Sequence, residues 1–340
     1  MTAPKIAING FGRIGRMVTR IAKQNKHFDV VAVNDLASAK ELAYTFKYDS
    51  VHGRYNGTVT VEGNRMTIDG DPFEVLSEKD PEKLPWAELG VDYVIEATGR
   101  FRRIEELEHH LEAGAKRVII TVPTKDYLES TVVLGVNDHV IEGAKIISNA
   151  SCTTNCAAPM VSVLQEHFGI KRGLLTTVHA YTSSQSLVDA ADAKNPRRAR
   201  HAAINIIPTT TGAAKAVERV IPEVTGKLDG MAMRVPVPDG SVVDMVVELE
   251  QDVTIEAVNN AMIDAAANRL AGIMSIAEDP IVSTDIVGDR HSCIFDPFLT
   301  QVLQGRMVKV IGWYDNEFGY SARVEDLISR LAVKDGLTPT

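Results

Sequence analysis

Cysteine, long apolar runs and positive charge are all scarce in this chain. Its 340 residues include three cysteines and no Cys-x-x-Cys pair, which excludes a disulfide framework and favours a reducing compartment. No group of Cys and His has the spacing of zinc ligands, so we predict no metal site. The longest apolar runs are far too short to span a bilayer, and the N-terminus lacks the pattern of a secretory signal. We expect a cytoplasmic protein without a membrane partner.

Charge and length narrow the class further. The formal net charge is -9 at pH 7, which argues against nucleic acid as the main partner because that binding depends on neutralising phosphates. A hydrophobic content of 45% and a charged content of 24% are ordinary for a globular enzyme. The length allows two domains. The one dense basic cluster, Arg197 to Arg200, needs a local explanation.

Short β-rich runs alternate with helical segments in the first half of the chain. Residues 5–10 and 30–35 are predicted strands, the segment between them has helical periodicity, and residues 58–70 are typical of a hairpin. Three later apolar runs are typical of strands buried on both faces of a parallel sheet: DYVIEATG, KRVIITVP and TVVLGVN. This alternation predicts a Rossmann-type, doubly wound α/β domain over residues 1–150.

The pattern changes after about residue 150, where the β-rich runs become longer. The segment MAMRVPVPDGSVVDMVVELEQ predicts two strands joined by a Pro-Asp-Gly turn and paired antiparallel. Residues 254–272 are a predicted helix that Thr254 caps at its start and Gly272 ends. We therefore predict an α+β second domain with a mainly antiparallel sheet. The final amphipathic helix, SARVEDLISRLAV, could pack on either domain.

The first predicted strand leads into a glycine pattern, Gly10-x-Gly12-x-x-Gly15. The pattern suits a dinucleotide, because Gly10 allows a tight turn, Gly12 lets backbone approach a pyrophosphate and Gly15 permits close helix–strand packing. Asp35 closes the second strand, where a carboxylate would accept hydrogen bonds from an adenosine ribose. The alternative is a plain glycine turn with Asp35 as an ordinary strand-end residue.

The segment SNASCTTNC, residues 148–156, places two cysteines among hydroxyl and amide side chains. The residues after Ser151 have a helical apolar stripe, which puts Cys152 at a helix N-terminus. The free N–H groups there favour an anion, so the sequence predicts a lowered pKa and a reactive thiolate. Cys156 lies one turn deeper, and we predict that it and Cys293 are packing residues.

A thiolate nucleophile needs an acid/base partner, and His179 has the most suggestive position of the nine histidines. It ends the predicted strand LLTTVHAYT in the second domain. The alternative for His179 is a strand-end residue with a satisfied hydrogen bond. His109, His110 and His167 lie on charged helical faces and are predicted to be solvated.

Hydroxyl groups and arginines recur downstream of the cysteine segment. Arginine, hydroxyl and backbone N–H groups together hold phosphate or carboxylate, although each residue alone also fits an ordinary surface position. Combined with a dinucleotide site and a reactive cysteine, they suggest oxidation of an aldehyde that carries an anionic group. The residues are Thr182, Arg200, Thr209, Thr210, Thr211, Gly212 and Arg234.

At these positions the chain closely resembles the phosphorylating glyceraldehyde-3-phosphate dehydrogenase family. The matching segments run nearly end to end, and SNASCTTNC and WYDNEFGYS are the most specific of them. The others are INGFGRIGR, VNDL, KYDSVHG, LPWAELGVDYVIEATG, VHAYT, RRAR, NIIPTTTGAAKAV and MAMRVPVPDGSVVD.

The resemblance assigns roles to individual residues. It implies that Cys152 is the nucleophile and His179 its acid/base partner, and that Asn316 orients the nicotinamide amide. It implies a site for attacking inorganic phosphate and a site for the phosphate of the substrate. The first comprises Ser151, Thr153, Thr211 and Gly212, the second comprises Thr182 and Arg234, and Arg200 serves the anion sites.

The predicted cofactor contacts extend beyond the glycines and Asp35. They include Phe11, Arg13, Ile14, Thr98, Gly99 and Thr121. The resemblance further implies a homotetramer and a catalytic domain over residues 151–316. In the family the C-terminal helix, about residues 317–340 here, returns to the nucleotide domain.

The implied reaction converts glyceraldehyde 3-phosphate into an acyl phosphate. The Cys152 thiolate adds to the aldehyde, neutral His179 takes the hydroxyl proton as hydride leaves for the nicotinamide, and phosphate attacks the resulting thioester. Inorganic phosphate and a phosphorylated aldehyde are therefore the expected small-molecule partners.

Two departures from the family pattern lie in residues 183–199, a segment about one residue longer than usual. Ser184 replaces the aspartate that most relatives carry, and Ala190 and Ala191 replace a Leu-Pro pair that is thought to crowd the 2′-phosphate of NADP. A carboxylate at Asp35 repels that phosphate. The sequence therefore predicts NAD as the cofactor, with NADP as an alternative.

Two other functions fit parts of the pattern. An erythrose-4-phosphate dehydrogenase shares the fold and the Cys/His pair, but the Thr-Thr-Gly of NIIPTTTGAAKAV suits phosphate as the acceptor. A non-catalytic NAD-binding regulator would not need the nucleophile, the base and both anion sites.

Overall fold

The computed structural model describes residues 3–338, which form two compact units. The first unit contains the described residues up to Val132, the segment His139–Ala150 and the chain from Ser321 onward. The second contains Val133–Asp138 and Ser151–Tyr320. Among the described residues, no helix is both long and apolar enough to cross a membrane.

The first unit is built on a sheet of eight strands with helices in the connections. In chain order its elements are β1 (Lys5–Asn9), α1 (Arg13–Asn25), β2 (Asp29–Asn34), α2 (Ala39–Lys47), β3 (Val59–Glu62), β4 (Arg65–Ile68), β5 (Asp71–Leu76), α3 (Trp86–Leu89), β6 (Tyr93–Glu96), α4 (Ile104–Glu112), β7 (Arg117–Ile120) and β8 (Ile146–Ser148).

The strand order in this sheet is β3-β4-β5-β2-β1-β6-β7-β8. The six strands from β5 to β8 run parallel, and β3 and β4 add an antiparallel edge. Apolar residues such as Ile6, Ile8 and Ile95 are fully buried in it, as expected for strands covered on both faces. The predicted doubly wound sheet and the hairpin at 58–70 are confirmed.

One predicted strand of this sheet is wrong. In TVVLGVN only Thr131 bridges to the sheet, at Ser148, and the strand that completes the edge is β8. From Val133 the run belongs to the second unit, where turns bury Val133 and Leu134 without strand pairing. The apolar residues of TVVLGVN correctly indicated that the segment is buried. Burial alone does not distinguish a strand from a packed turn.

The second unit combines a mixed sheet with three helices that lie wholly within it. Its elements are α5 (Cys152–Phe168), β9 (Ile170–Ala180), β10 (Ile207–Thr210), α6 (Ala213–Val220), β11 (Leu228–Val235), β12 (Ser241–Leu249), α7 (Ile255–Ala267), β13 (Met274–Ile276), β14 (Cys293–Phe295), β15 (Gln301–Leu303) and β16 (Met307–Tyr314). The strand order is β10-β11-β9-β12-β16-β14-β13, with β15 also paired to β16.

The long strands β9, β12 and β16 pair antiparallel, so the predicted α+β class with a mainly antiparallel sheet is confirmed. The predicted pairing of β11 with β12 is wrong. Strand β9 lies between them, parallel to β11 and antiparallel to β12. The Pro-Asp-Gly connection therefore crosses over one strand and does not close a hairpin.

The helix predicted over residues 254–272 begins where expected and ends early. The Thr254 side chain accepts a hydrogen bond from the Ala257 N–H, which caps the start of α7. The helix stops at Ala267, because the Asn268 side chain bonds the Asp264 carbonyl and the chain turns. Gly272 lies beyond that turn, with a φ of +75°.

The last helix, α8 (Phe318–Lys334), joins the first unit from Ser321 onward. Asp335, just past its end, accepts hydrogen bonds from the Tyr93 hydroxyl and from Arg117 Nε, both at 2.7 Å. These bonds tie the C-terminal segment to β6 and β7.

Candidate active site

The loop between β1 and α1 holds the three glycines of the predicted dinucleotide site. Gly10 has a φ of +96°, and a Cβ there would lie 2.6 Å from the Thr98 nitrogen. A Cβ on Gly15 would overlap the Gly10 carbonyl oxygen. A Cβ on Gly12, in contrast, would meet nothing within 4 Å. Two glycines are thus required by packing, and Gly12 borders the open space that a pyrophosphate needs.

Asp35 lies just past the end of β2 and faces this loop. Its carboxylate accepts hydrogen bonds from the Phe11 N–H at 2.8 Å and the Ala37 N–H at 3.1 Å. Asp35 lines a cleft of about 250 Å³ together with Gly10, Gly12 and Thr98. The cleft lies wholly within the first unit and has the donor and acceptor groups that a nucleotide requires.

Arg13, the first residue of α1, is paired with Asp49. The nearer of their nitrogen–oxygen distances is 2.5 Å. Desolvation raises the pKa of Asp49, but hydrogen bonds from Arg13 and from the N–H groups of His52 and Val51 outweigh it and lower the pKa to about 2. The Arg13 guanidinium is therefore held by a carboxylate, while the half-buried Ile14 follows it in the helix.

A buried carboxylate supports the floor of the cleft. Glu96 is fully buried and accepts hydrogen bonds from Asn9 Nδ2 at 2.6 Å and from the N–H and hydroxyl of Thr98. Its backbone carbonyl accepts from both the N–H and the hydroxyl of Thr121. Gly99 follows with a φ of +69°.

His110 completes this network, so the prediction that it is solvated is wrong. The ring is fully buried, and its Nδ1 accepts a hydrogen bond from Trp86 Nε1 at 3.1 Å. Its Nε2 therefore carries the proton and donates to Glu96 at 3.2 Å. Its charged neighbours in the sequence indicated a solvated face, but α4 turns His110 inward together with Leu107.

In the second unit Cys152 is the first residue of α5, as predicted. Ser151 is the N-cap, and its hydroxyl oxygen accepts a hydrogen bond from the Thr154 N–H at 3.1 Å. The Cys152 side chain is half-buried, whereas Cys156 and Cys293 are fully buried. One thiol is therefore accessible, and the other two pack in the core.

His179, near the end of β9, points its ring at this thiol. The distance from Cys152 Sγ to His179 Nε2 is 3.5 Å. Nδ1 lies 2.7 Å from the Ala180 carbonyl oxygen, which only accepts hydrogen bonds, and 2.9 Å from Arg234 Nη1, which only donates them. Because Arg234 Nη1 can donate to the Ala180 carbonyl oxygen at 2.9 Å instead, we assign the ring proton to Nδ1 on the shorter contact. Nε2 then has its lone pair toward the sulfur and is placed to take its proton.

Burial governs the charges of the Cys/His pair, and the predicted lowering of the thiol pKa is wrong. Desolvation raises the pKa of Cys152, and Arg234 and the Thr153 N–H offset it only in part. Desolvation also lowers the pKa of His179 to about 3, assisted by the positive charge of Arg234. The resting pair is a thiol beside a neutral imidazole, so proton transfer must accompany attack.

Arg234, in β11, lies beside His179. Its Nη1 is 2.9 Å from the Ala180 carbonyl oxygen and 2.9 Å from His179 Nδ1. Its Nε is buried and has no hydrogen-bond partner among residues 3–338. A buried guanidinium nitrogen without a partner is costly, and an anionic ligand would satisfy it.

Thr153 and Tyr314 form a hydroxyl cluster behind the cysteine. The Tyr314 hydroxyl lies 2.8 Å from the Thr153 hydroxyl and 2.8 Å from that of Thr177. Thr153 is buried, so its hydroxyl is engaged within the protein. Tyr314, which sequence reasoning missed, also contacts the His179 ring edge-on at 5.8 Å between ring centroids.

Of the arginines in RRAR, the structure places Arg198 rather than Arg200 near His179. Arg200 is exposed and pairs with Asp189 at 3.0 Å. Arg198 Nε donates to the Thr209 hydroxyl at 2.8 Å, and its charge helps to lower the pKa of His179. The segment forms turns, so no periodicity in the sequence could have selected between the arginines.

The remaining hydroxyl groups lie at the edges of regular elements. The Thr182 hydroxyl is 2.9 Å from that of Ser184, just beyond β9. Thr211 and Gly212 precede α6, which packs against α5, and the Thr211 hydroxyl accepts from the Ala213 N–H at 3.2 Å. The N–H groups of a helix start favour a nearby anion.

Asn316 follows β16 and is buried. The Ser241 hydroxyl donates a hydrogen bond to Asn316 Oδ1 at 2.6 Å, and the Ser241 oxygen accepts one from the Ala180 N–H at 3.1 Å. Asn316 was predicted, whereas nothing in the sequence indicated that Ser241 is its partner.

Comparison with known proteins agrees with these observations. Residues 4–104 match the family model described as the NAD binding domain of glyceraldehyde 3-phosphate dehydrogenase, and residues 151–316 match the model of its C-terminal domain. The chain is 54% identical over 334 residues to the glyceraldehyde-3-phosphate dehydrogenase of Geobacillus stearothermophilus, covering 98% of this chain and 99% of that protein. It is 53% identical to glyceraldehyde-3-phosphate dehydrogenase 1 of Bacillus subtilis, with the same coverage of both chains.

Proposed function

Because the chain belongs to the glyceraldehyde-3-phosphate dehydrogenase family, we propose that it oxidises glyceraldehyde 3-phosphate to 1,3-bisphosphoglycerate. Inorganic phosphate is the second substrate, and NAD is the hydride acceptor. One observation carries the chemistry: the half-buried Cys152 sulfur lies 3.5 Å from a neutral His179 Nε2. A nucleophile within reach of an unprotonated base is what acyl transfer through a thioester requires.

The first unit suits NAD as the resident cofactor. Gly12 leaves room for a pyrophosphate, and Asp35 presents a carboxylate to a ribose within the same cleft. A carboxylate repels the 2′-phosphate of NADP, so NAD is the preferred cofactor and NADP the weaker alternative. When bound, NAD supplies the two-electron acceptor for the oxidation.

In the first step His179 Nε2 takes the Cys152 proton, and the sulfur bonds to the aldehyde carbon. The former carbonyl oxygen receives that proton, which leaves a thiohemiacetal and a neutral imidazole. Nε2 then removes the hydroxyl proton while hydride leaves the carbon, and a thioester forms. Since burial disfavours the imidazolium, His179 is ready as a base at neutral pH.

In the last step an oxygen of inorganic phosphate attacks the thioester carbon. The carbon–sulfur bond breaks, the acyl phosphate leaves, and the Cys152 sulfur regains a proton from His179. We assign the attacking phosphate to Arg198, Thr211 and Gly212, with Ser151 at the start of α5.

The phosphate of the aldehyde is assigned to Arg234 and the Thr182–Ser184 hydroxyl pair. The buried Arg234 Nε without a partner supports this assignment, and the hydroxyl pair offers donors with no negative charge. Arg200 is left out of this assignment, because it is exposed and its guanidinium is paired with Asp189.

The activity is tested by following NADH formation at 340 nm with glyceraldehyde 3-phosphate, with and without phosphate. We expect a phosphate-dependent rate that Cys152→Ser abolishes and Cys156→Ser leaves largely intact. Erythrose 4-phosphate in the same assay tests the alternative, which the relatives do not favour. A faster, phosphate-independent rate with erythrose 4-phosphate would overturn the proposal.

We further infer that the enzyme is a cytoplasmic homotetramer. Its unpaired cysteines suit a reducing compartment. Support for self-association comes from an open concavity on the second sheet, lined by Leu174, Val246 and Met307 with Arg172 and Glu248 at its margin. Leu174 is 65% exposed, and charges of both signs suit a second copy of the same surface.

Light scattering after size-exclusion chromatography measures the assembly. A tetramer is expected for the wild type, with dissociation when Leu174 is replaced by Glu. Val282, 59% exposed in a loop of the same unit, provides the matched control, since Val282→Glu should leave the mass unchanged. A monomeric wild type would contradict this inference.

A further inference from the structure

Three strand ends of the second sheet meet at one buried serine. Ser241 is the first residue of β12 and is 1% exposed. In the sheet register it lies opposite Tyr314 of β16, and the next residue, Val242, lies opposite Val178 of β9. Ser241 therefore stands between the strand that carries the base and the strand that leads to Asn316.

Its single hydroxyl is used twice. The oxygen accepts the Ala180 N–H at 3.1 Å, and the hydroxyl proton goes to Asn316 Oδ1 at 2.6 Å. Since the carbonyl of the Asn316 side chain is bound in this way, its NH₂ group is the part that can donate to a ligand. The carbonyl of Ala180, on the same residue, accepts from His179 Nδ1 at 2.7 Å.

We infer that Ser241 is a positioning residue that fixes the amide orientation of Asn316 and links it to the strand end carrying His179. Turned by half a rotation, that amide would present an acceptor where a donor is needed. By binding the Asn316 side-chain oxygen, Ser241 thus leaves the Asn316 NH₂ group to donate to the carboxamide of the nicotinamide. This inference rests on the proposed role of NAD, and it concerns residues of the second unit alone.

A purely structural role would have a different signature. If Ser241 only satisfied the Ala180 N–H, its loss would leave a buried donor without a partner. The Tm would then fall and the cofactor affinity would stay unchanged. If it acts through Asn316, its loss must weaken cofactor binding, and that effect must depend on Asn316 being present.

The test compares Ser241→Ala with Ser292→Ala in the full-length enzyme. Ser292 is also buried in the second unit, and its hydroxyl has no hydrogen-bond partner within the described chain. We expect the NAD dissociation constant, measured by calorimetry without aldehyde, to rise about tenfold in Ser241→Ala and to stay within twofold in Ser292→Ala. The KM for phosphate should not change in either variant.

A double-mutant cycle with Asn316→Ala decides whether the effect runs through the amide. Adding Ser241→Ala to Asn316→Ala should produce no further loss of NAD affinity. Additive losses, or a loss of Tm with unchanged NAD affinity, would overturn the inference. If Ser241→Ala does not fold, Ser241→Cys takes its place in the cycle with the same two readings, because it keeps the volume and is only a weak donor.

Stereochemistry gives a second reading. With aldehyde deuterated at the reacting carbon, wild-type enzyme should place deuterium on one face of the nicotinamide, and Ser241→Ala should place a measurable fraction on the other. Because the dissociation constant needs no aldehyde, it tests Ser241 even if the wild type proves to oxidise a different aldehyde. Failure of the proposed function and failure of this inference are therefore distinguishable.

Discussion

In the first unit the glycines of the cofactor cleft lie in one short loop, whereas in the second unit the proposed reactive groups are side chains from separate elements. Gly10, Gly12 and Gly15 lie within six residues of sequence. Cys152, His179 and Arg234 come from α5, β9 and β11, up to 82 residues apart. The glycine loop is built from residues that are close in the sequence. The site of Cys152, His179 and Arg234 exists only when distant strands have paired.

Removing the base should produce the largest effect. His179→Asn should lower kcat by about 10²–10⁴-fold, and it should also slow alkylation of Cys152, because the thiol pKa is raised and no base remains to take its proton. NAD affinity should be unchanged, because His179 is assigned to proton transfer and no cofactor contact is assigned to it. Iodoacetamide labelling followed by mass spectrometry measures the thiol rate. Unchanged labelling would show that the thiol ionises without His179.

Alanine substitutions in the glycine loop should have two distinct effects, a loss of NAD affinity at Gly12 and a loss of stability at Gly15. Gly12 has a φ of -71°, which alanine adopts freely, so Gly12→Ala should keep its Tm yet lose NAD affinity by roughly 10–100-fold as Cβ fills the space for the pyrophosphate. Gly15→Ala should instead lose stability, because its Cβ overlaps the Gly10 carbonyl. Calorimetry with and without NAD separates the two. Equal Tm values for both variants would contradict the packing argument.

The two arginines of the basic cluster offer a matched pair. Arg198→Ala should raise the KM for phosphate about tenfold, the value of one charge-assisted hydrogen bond. Arg200→Ala should change it less than twofold, because an exposed pair with Asp189 contributes little. Initial rates over a phosphate series measure both variants, and a larger effect from Arg200 would restore the prediction made from sequence.

The smallest expected effect concerns stability in the first unit. The folded pKa of Asp49 is about 2, below its ordinary value of 3.8, so the carboxylate stabilises the fold above pH 4 and loses that contribution as the pH falls toward 2. Asp49→Asn should lower the free energy of unfolding by about 1–2 kcal/mol at pH 7, with the difference narrowing below pH 4. Urea unfolding measures it. Asp71→Asn is the control, because Asp71 is 51% exposed.

These contrasts explain which parts of the molecule the sequence could predict. The glycine pattern, Asp35 and the Cys152 helix start follow from local rules, and the structure has each element where it was predicted. The prediction of a lowered pKa for the Cys152 thiol was wrong. A helix N-terminus can be recognised in the sequence, but the burial that raises this pKa cannot. The prediction that His110 is solvated was wrong for the same reason, because its fully buried partner Glu96 lies 14 residues away in the sequence.

Strand pairing was the other source of error. The segment from β11 to β12 looks like a hairpin, yet β9, about 50 residues earlier in the chain, is inserted between the two strands. Local turn chemistry describes the Pro-Asp-Gly connection correctly and says nothing about which strand is the neighbour. Ser241 and Tyr314 were missed because their partners lie on other strands of this sheet, and Arg198 was missed because its segment forms turns.

The insertion of β9 also bears on how the chain folds. Strands β11 and β12 follow one another in the chain but do not pair, so they cannot form an early local hairpin. The central pairings of the second sheet instead join residues separated by about 55 to 80 positions. Contacts of that kind close large loops and form slowly. His179, Ser241 and the chain leading to Asn316 come together only when these pairings are complete. A nascent or partly folded chain therefore has its cysteine but no assembled base, and catalytic competence arrives with the last strands to dock.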